Sequence, residues 1–157
     1  MFPEFLCIGA QRAGTSWLHK NLSRHPEIWM PPVKEIHYFD ERERYNSLKG
    51  FKRLAYVYRR QQKRWHEVIK HKGDGKNFNF SDIELKRFLW KTNYLLNFRN
   101  DRWYESLFAM GAGKKIGEVT PEYSILNEES VAHVHQLMPD AKIIFMMRNP
   151  IQRAWSH

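Results

Sequence analysis

The sequence predicts a three-layer α/β domain with a central parallel sheet flanked by helices, and three observations carry that prediction. Strand-like segments at Phe5-Leu6-Cys7-Ile8, Lys115-Ile116-Gly117-Glu118-Val119 and Ile143-Ile144-Phe145-Met146-Met147 alternate with stretches of helical apolar spacing. The last of these runs is continuous, as expected of a central strand buried on both faces. A glycine-bearing loop connects the first run to the first helix.

The elements follow in chain order. Gly9 bounds the first strand, and a helix is expected from Thr15 to Arg24 with Trp17, Leu18 and Leu22 on one side. Pro26, Pro31 and Pro32 break the chain, and Ile36-His37-Tyr38-Phe39 suits a short extended segment. Phe51, Leu54, Ala55, Tyr58, Trp65, Val68 and Ile69 recur at helical spacing and predict a helix over 50–71, closed by Gly73 and Gly75. Ser81-Asp82-Ile83-Glu84 is a capping-box pattern opening a helix through Phe88, Leu89, Leu95 and Leu96. A short helix carries Trp103, Tyr104, Leu107 and Phe108 and stops before Gly111. Asn127 is placed to cap a helix through Val131, Val134 and Leu137, and Pro139-Asp140 turns the chain into the last strand. Pro150 then starts a helix with no stop signal before residue 157, so the chain reads as the N-terminal part of a longer domain.

Composition narrows the function. The 157 residues carry 26 Lys+Arg and 17 Asp+Glu, so the formal net charge is 26 − 17 = +9, which favours an anionic partner. Residues 49–72 hold nine Lys/Arg and one acid, Glu67, as on a solvated helix face. A platform for a polyanionic glycan, or a nucleic-acid surface with Tyr56, Tyr58 and Trp65 interleaved, are the alternatives. The single Cys7 excludes an internal disulfide and any cysteine-based metal site. No run reaches membrane-spanning length, and Met1-Phe2-Pro3-Glu4 has neither the basic nor the apolar region of a secretory signal, so a cytoplasmic protein is expected.

Two motifs point to anion chemistry. Gly9-Ala10-Gln11-Arg12-Ala13-Gly14-Thr15-Ser16 lies between strand and helix, where backbone N–H groups and a helix N-terminus cradle phosphate. Its glycines match the Walker A frame, but Thr15 stands where that motif has lysine, which argues against a P-loop kinase-like nucleotide-binding protein. An ordinary strand-to-helix turn explains the loop alone about as well. The second motif, Arg148-Asn149-Pro150-Ile151-Gln152-Arg153-Ala154-Trp155-Ser156, follows the last strand. Ligands of open α/β sheets bind at such carboxyl ends, and Arg148 offers a guanidinium fork for phosphate, with Ser156 a further hydroxyl.

Together the motifs resemble the sulfotransferase family, enzymes that use 3′-phosphoadenosine-5′-phosphosulfate (PAPS) and release 3′,5′-bisphosphoadenosine (PAP). The first is similar to the family's Gly-x-x-Lys-x-Gly-Thr-Ser/Thr loop, and the second to its Arg-x-Pro-x-x-Arg-x-x-Ser 3′-phosphate motif. Lys34-Glu35-Ile36-His37-Tyr38-Phe39-Asp40 and Gly117-Glu118-Val119-Thr120-Pro121-Glu122-Tyr123 resemble segments of the glycan and heparan-type branch. The resemblance covers most of the chain, with residues 49–101 the least informative. Arg12 replaces the family's loop lysine, and Val119 replaces the lysine usual before Thr-Pro.

The resemblance implies a P-loop-like domain over residues 1–157, truncated within the 3′-phosphate motif, in a bacterial-like enzyme. It implies sulfuryl transfer from PAPS to an acceptor hydroxyl or amine of a glycan or small molecule, with no metal and no nucleic-acid partner. Arg12, Ala13, Gly14, Thr15, Ser16, Arg148 and Ser156 would bind the donor. Glu35 would be the general base and Lys34 would bind acceptor or sulfuryl oxygens, with His37 the alternative base. Thr120, Pro121 and Tyr123 would line the acceptor cleft. The reading from another class is a non-catalytic basic anion- or nucleic-acid-binding module.

Overall fold

A computed structural model describes residues 1–41, 82–97 and 99–156. The chain divides into two compact units, Met1–Glu41 with Phe98–His157, and Arg42–Asn97. In the first unit the elements run β1 (Phe5–Gly9), α1 (Thr15–Leu22) and β2 (Ile28–Trp29), then α3 (Asp101–Ser106), β3 (Lys115–Val119), α4 (Glu128–Leu137), β4 (Lys142–Phe145) and α5 (Pro150–Ala154). Short 3-10 turns occupy Ala109–Gly111 and Pro121–Ile125. In the second unit, α2 (Asp82–Leu96) stacks Trp90 on Tyr94 with ring centroids 5.2 Å apart. The helix expected over 50–71 lies outside the described residues.

The sheet is parallel throughout, in the order β2-β3-β1-β4. Phe5 pairs with Gly117, Leu6 with Glu118 and Cys7 with Val119. Because strand side chains alternate, this register sends Cys7 and Val119 to one face and Leu6 and Glu118 to the other. Leu18 and Leu22 of α1 pack with Cys7, Val119 and Met30 on the first face. On the second face α3 brings Tyr104 to Glu118, and Tyr104, Tyr38, Phe39 and Phe108 form an aromatic cluster with centroids 4.7–5.1 Å apart. Tyr104, Phe39, Phe108 and Leu107 are each at most 1% exposed, and burying such a side chain is worth about 1.5–3 kcal/mol.

Asparagine side chains start three helices. Asn100 Oδ1 accepts from Trp103 N at 2.8 Å, Asn127 Oδ1 from Ser130 N at 2.9 Å and Asn149 Oδ1 from Ile151 N at 2.9 Å. Each such cap contributes about 1 kcal/mol.

Four expectations need correction. Trp17 is 67% exposed and leaves the buried side of α1 to Leu18 and Leu22. Residues 36–38 form no strand; they are irregular, with Ile36 and Tyr38 buried and His37 half-buried, and the second extended element is Ile28–Trp29 instead. In α2 the buried side chains are Trp90 and Tyr94, while Phe88 and Leu89 are exposed. β4 stands at the sheet edge among the described strands, with Ile143 and Phe145 about half exposed, although its apolar run suits a central strand.

Candidate functional site

The strands' carboxyl ends deliver their following segments to one cavity of about 550 Å³, lined by Gln11, Arg12, Gly14, Thr15, Ser16, Lys34, Glu35, Pro121, Glu122, Arg148 and Ser156. That volume lies in the range of small-ligand pockets. The β1–α1 loop is shaped by Gly14 at φ +96°, which favours glycine, and by Arg12 at φ +63°. Such a conformation at a non-glycine residue costs energy and clusters at functional sites. Leu18 N makes the first intrahelical bond, to Gly14 O at 3.0 Å, so the amides of Thr15, Ser16 and Trp17 have no acceptor within the helix. Ala13 N is already used, donating to Ala10 O at 3.2 Å, and its side chain is buried. Ala13 therefore shapes the loop rather than lining the cavity.

Two arginines lace the loop to the segment after β4. Arg148 Nη1 donates to Arg12 O at 3.2 Å, and Arg12 Nη1 donates to Ser156 O at 3.0 Å. Both guanidinium groups spend hydrogen bonds on neutral carbonyls, so their charges remain available to an anion. Ser156 follows α5 rather than lying two turns inside a helix, and its hydroxyl donates to Arg153 O at 2.7 Å.

The segment 34–40 supplies the remaining charges. Residues 34–38 are irregular and 39–41 are helical, and the segment is held at many points. Glu35 N donates to Val119 O at 3.0 Å and Tyr38 N to Tyr123 Oη at 3.0 Å. Arg99 donates to the carbonyls of His37 and Ile36 at 3.1 and 2.8 Å. These contacts fix Glu35 and His37 at φ +65° and +57°. Lys34 Nζ pairs with Glu35 Oε1. His37 Nδ1 lies 2.6 Å from Asp40 Oδ2, and its Nε2 lies 3.8 Å from Glu35 Oε2.

Electrostatics separates the two candidate bases. His37 beside Glu35, with Lys34 and against the effect of burial, lowers the Glu35 pKa to about 2, so Glu35 is ionised at neutral pH. Burial disfavours the His37 imidazolium, but Asp40 and Glu35 overcome it and raise the pKa to about 9. His37 therefore holds its proton at neutral pH and has no lone pair with which to act as base. Glu35, His37 and Glu122 each place one ligand-type atom within 4.8 Å of the others, a spacing that would hold a cation only after His37 lost that proton.

Thr120 and Tyr123 turn away from the cavity, which leaves Pro121 as the lining residue of the three proposed. Their hydroxyls donate to Glu118 Oε1 at 2.7 and 2.9 Å, while Tyr104 donates to Oε2. Glu118 is 1% exposed, and burial raises its pKa against the lowering effect of these three donors. Gln11, Asp40, Glu118 and Glu122 were not singled out by sequence reasoning. All four lie inside the quoted motifs, but their roles depend on partners that spacing does not reveal.

A family model described as "Sulfotransferase family" matches residues 3–157. The chain belongs to the sulfotransferase family. This sulfotransferase chain is 24% identical over 154 residues to "Membrane-associated sulfotransferase kil1" of Dictyostelium discoideum, covering 98% of the chain and 22% of that relative. A sulfotransferase crystal structure from Alicyclobacillus acidocaldarius matches with a TM-score of 0.58 and 26% identity, over 99% of this chain and 48% of that one. The chain thus spans about a fifth of the curated relative and about half of the solved one. The parallel sheet with flanking helices is the α/β fold of that solved sulfotransferase. Among the described residues no helix is long and apolar enough to cross a membrane.

Proposed function

We propose that this chain carries the donor site and the general base of a PAPS-dependent sulfotransferase acting on a hydroxyl or amine acceptor. The observation that carries the reading is the lacing of Arg12, Arg148 and Ser156 over a cavity that Glu35 also lines. Two guanidinium groups and the free first-turn amides of α1 are a donor set chemically suited to phosphate groups. PAPS, when bound, supplies an activated sulfuryl group on a phosphate leaving group.

In this reading Arg148 and Ser156 hold the 3′-phosphate. Arg12 and the amides of Thr15 and Ser16 stabilise charge on the departing 5′-phosphate. Glu35, ionised and facing the cavity, takes the acceptor proton as the acceptor O–S or N–S bond forms and the sulfur–phosphate-oxygen bond breaks. The protonated His37 orients Glu35, and Lys34 is placed to meet sulfuryl or acceptor oxygens. A single sulfotransferase domain over 1–157, a glycan or small-molecule acceptor and a cytoplasmic location belong to the same proposal. The membrane association in the name of the Dictyostelium relative is the competing expectation for location, which cell fractionation decides.

The test is calorimetric titration with PAP, with ATP plus magnesium as control, on protein shown to be folded by circular dichroism. Saturable PAP binding that is lost in Arg148→Ala is expected. A folded chain that prefers magnesium-ATP would overturn the proposal.

A further inference from the structure

The charges around the cavity do not all find partners. Lys34 pairs with Glu35, and His37 with Asp40. Glu122 lines the same cavity and shares the His37 imidazolium, one ring nitrogen of which lies within 4.8 Å of its carboxylate, with Glu35 and Asp40. Its Oε1 accepts from the neutral Gln11 side chain at 3.0 Å. Its Oε2 is shut off from solvent and has no hydrogen-bond partner among the described residues. The carboxylate stands in the group of atoms within 4.8 Å that includes Glu35, the candidate base.

This imbalance matters most once the donor is in place, and here the inference rests on the proposed PAPS site. A bound nucleotide engages Arg12 and Arg148 and uses up their charge. Lys34 and the protonated His37 then face three carboxylates, Glu35, Asp40 and Glu122, so one negative charge is left over on the side of the cavity that Glu122 lines. Val119, three residues earlier in the chain, is buried and apolar and contributes no opposing charge.

We propose that Glu122 selects the acceptor by charge. The site takes a neutral or cationic acceptor, of the class of amino sugars and amino alcohols, and rejects one carrying a carboxylate or sulfate next to the reacting group. A hydroxyl or ammonium neighbour donates to Glu122 Oε1, the oxygen that is reached from the cavity, whereas an acid group meets the carboxylate as like charge in a partly desolvated wall.

The test uses three sugars of similar size, titrated into the PAP-saturated chain: glucosamine (cationic), N-acetylglucosamine (neutral) and glucuronate (anionic). Binding is read from the ring nitrogen signals of His37, one of whose nitrogens lies within 4.8 Å of carboxylate oxygens of the lining residues Glu35 and Glu122, and not from the basic residues elsewhere. Glucosamine is expected to bind most tightly and glucuronate most weakly, with about threefold to fivefold between successive sugars. Glu122→Gln, with Glu122→Ala as a second variant, is expected to abolish that order. Glucuronate binding as tightly as glucosamine would overturn the proposal, as would an order unchanged in both variants or no binding by any of the sugars. Failure of PAP itself to saturate the chain is seen before any sugar is added, and it marks failure of the donor-site reading instead.

Discussion

Arg148 Nη1 donates to the main-chain carbonyl of Arg12 across a sequence separation of 136 residues. The bond closes one side of the cavity and aims a charge at it without neutralising that charge. Lysine at this position would keep the charge but lose the planar fork that serves the carbonyl and a phosphate together. Arg148→Lys is therefore expected to weaken PAP binding about tenfold in calorimetry, with an unchanged circular dichroism spectrum. Wild-type affinity in this variant would show that the fork geometry is not used.

His37 gives a prediction about pH. Its folded pKa of about 9 lies above the ordinary 6.5, so its contribution to stability is complete below 6.5 and is lost as pH rises through 9. Glu35 runs the other way: its contribution is present above 4.5 and is lost as pH falls through about 2. Proton-detected nitrogen spectra are expected to show the His37 imidazolium intact at pH 7.5. Asp40→Asn is expected to bring its midpoint back toward 6.5. An unchanged midpoint in that variant would remove Asp40 as a cause.

Glu118 is expected to be the most sensitive buried polar position. Glu118→Ala leaves three buried hydroxyl groups without their shared acceptor, and at about 1–3 kcal/mol for each unsatisfied group a total loss of about 3–5 kcal/mol is expected. Tyr104→Phe removes one donor and is expected to cost about 1.5–3 kcal/mol. Urea unfolding measures both. Equal midpoints for wild type and Glu118→Ala would mean that the network contributes nothing to stability.

Two glycines are expected to fail for different reasons. A Cβ at Gly117 would lie 1.9 Å from the Phe5 ring, its cross-strand neighbour. Gly117→Ala is therefore expected to destabilise by about 1–3 kcal/mol through overpacking, and Phe5→Leu in the same chain should recover part of the loss. At Gly14 a Cβ would find ordinary space, 3.6 Å from Met146 Cε, but φ is +96°. Gly14→Ala is expected to cost about 1–2 kcal/mol through the backbone alone, with no rescue by trimming Met146. Thermal unfolding of the single and double variants separates the two causes.

Much of this architecture is legible in the sequence where a local rule suffices. Asn127 caps its helix because an asparagine oxygen reaches the third amide, and Lys115–Val119 is a strand with the expected bounds. Ile28–Trp29 is too short for any periodicity to show. The segment 36–38 looks extended because it is apolar, yet its path is set by Arg99, Val119 and Tyr123, all distant in sequence. The direction of Thr120 and Tyr123 follows Glu118, whose burial comes from its place opposite Leu6 in the register. The protonation of His37 likewise depends on a fold of the backbone that brings Asp40 to its ring.

The lacing of Arg12 to Ser156 and of Arg148 to Arg12, over 144 and 136 residues, has a kinetic consequence. Both bonds are exposed to solvent, whereas the β1–β3 pairing beneath them is buried, and exposed hydrogen bonds open at a lower free energy than buried ones. The donor cavity therefore opens more readily than the sheet that carries it. Its amides should exchange with solvent while those of β1 and β3 are still protected. A nucleotide that bridges the two motifs would act as a clasp, slowing this local opening well before it changes the melting temperature of the whole unit.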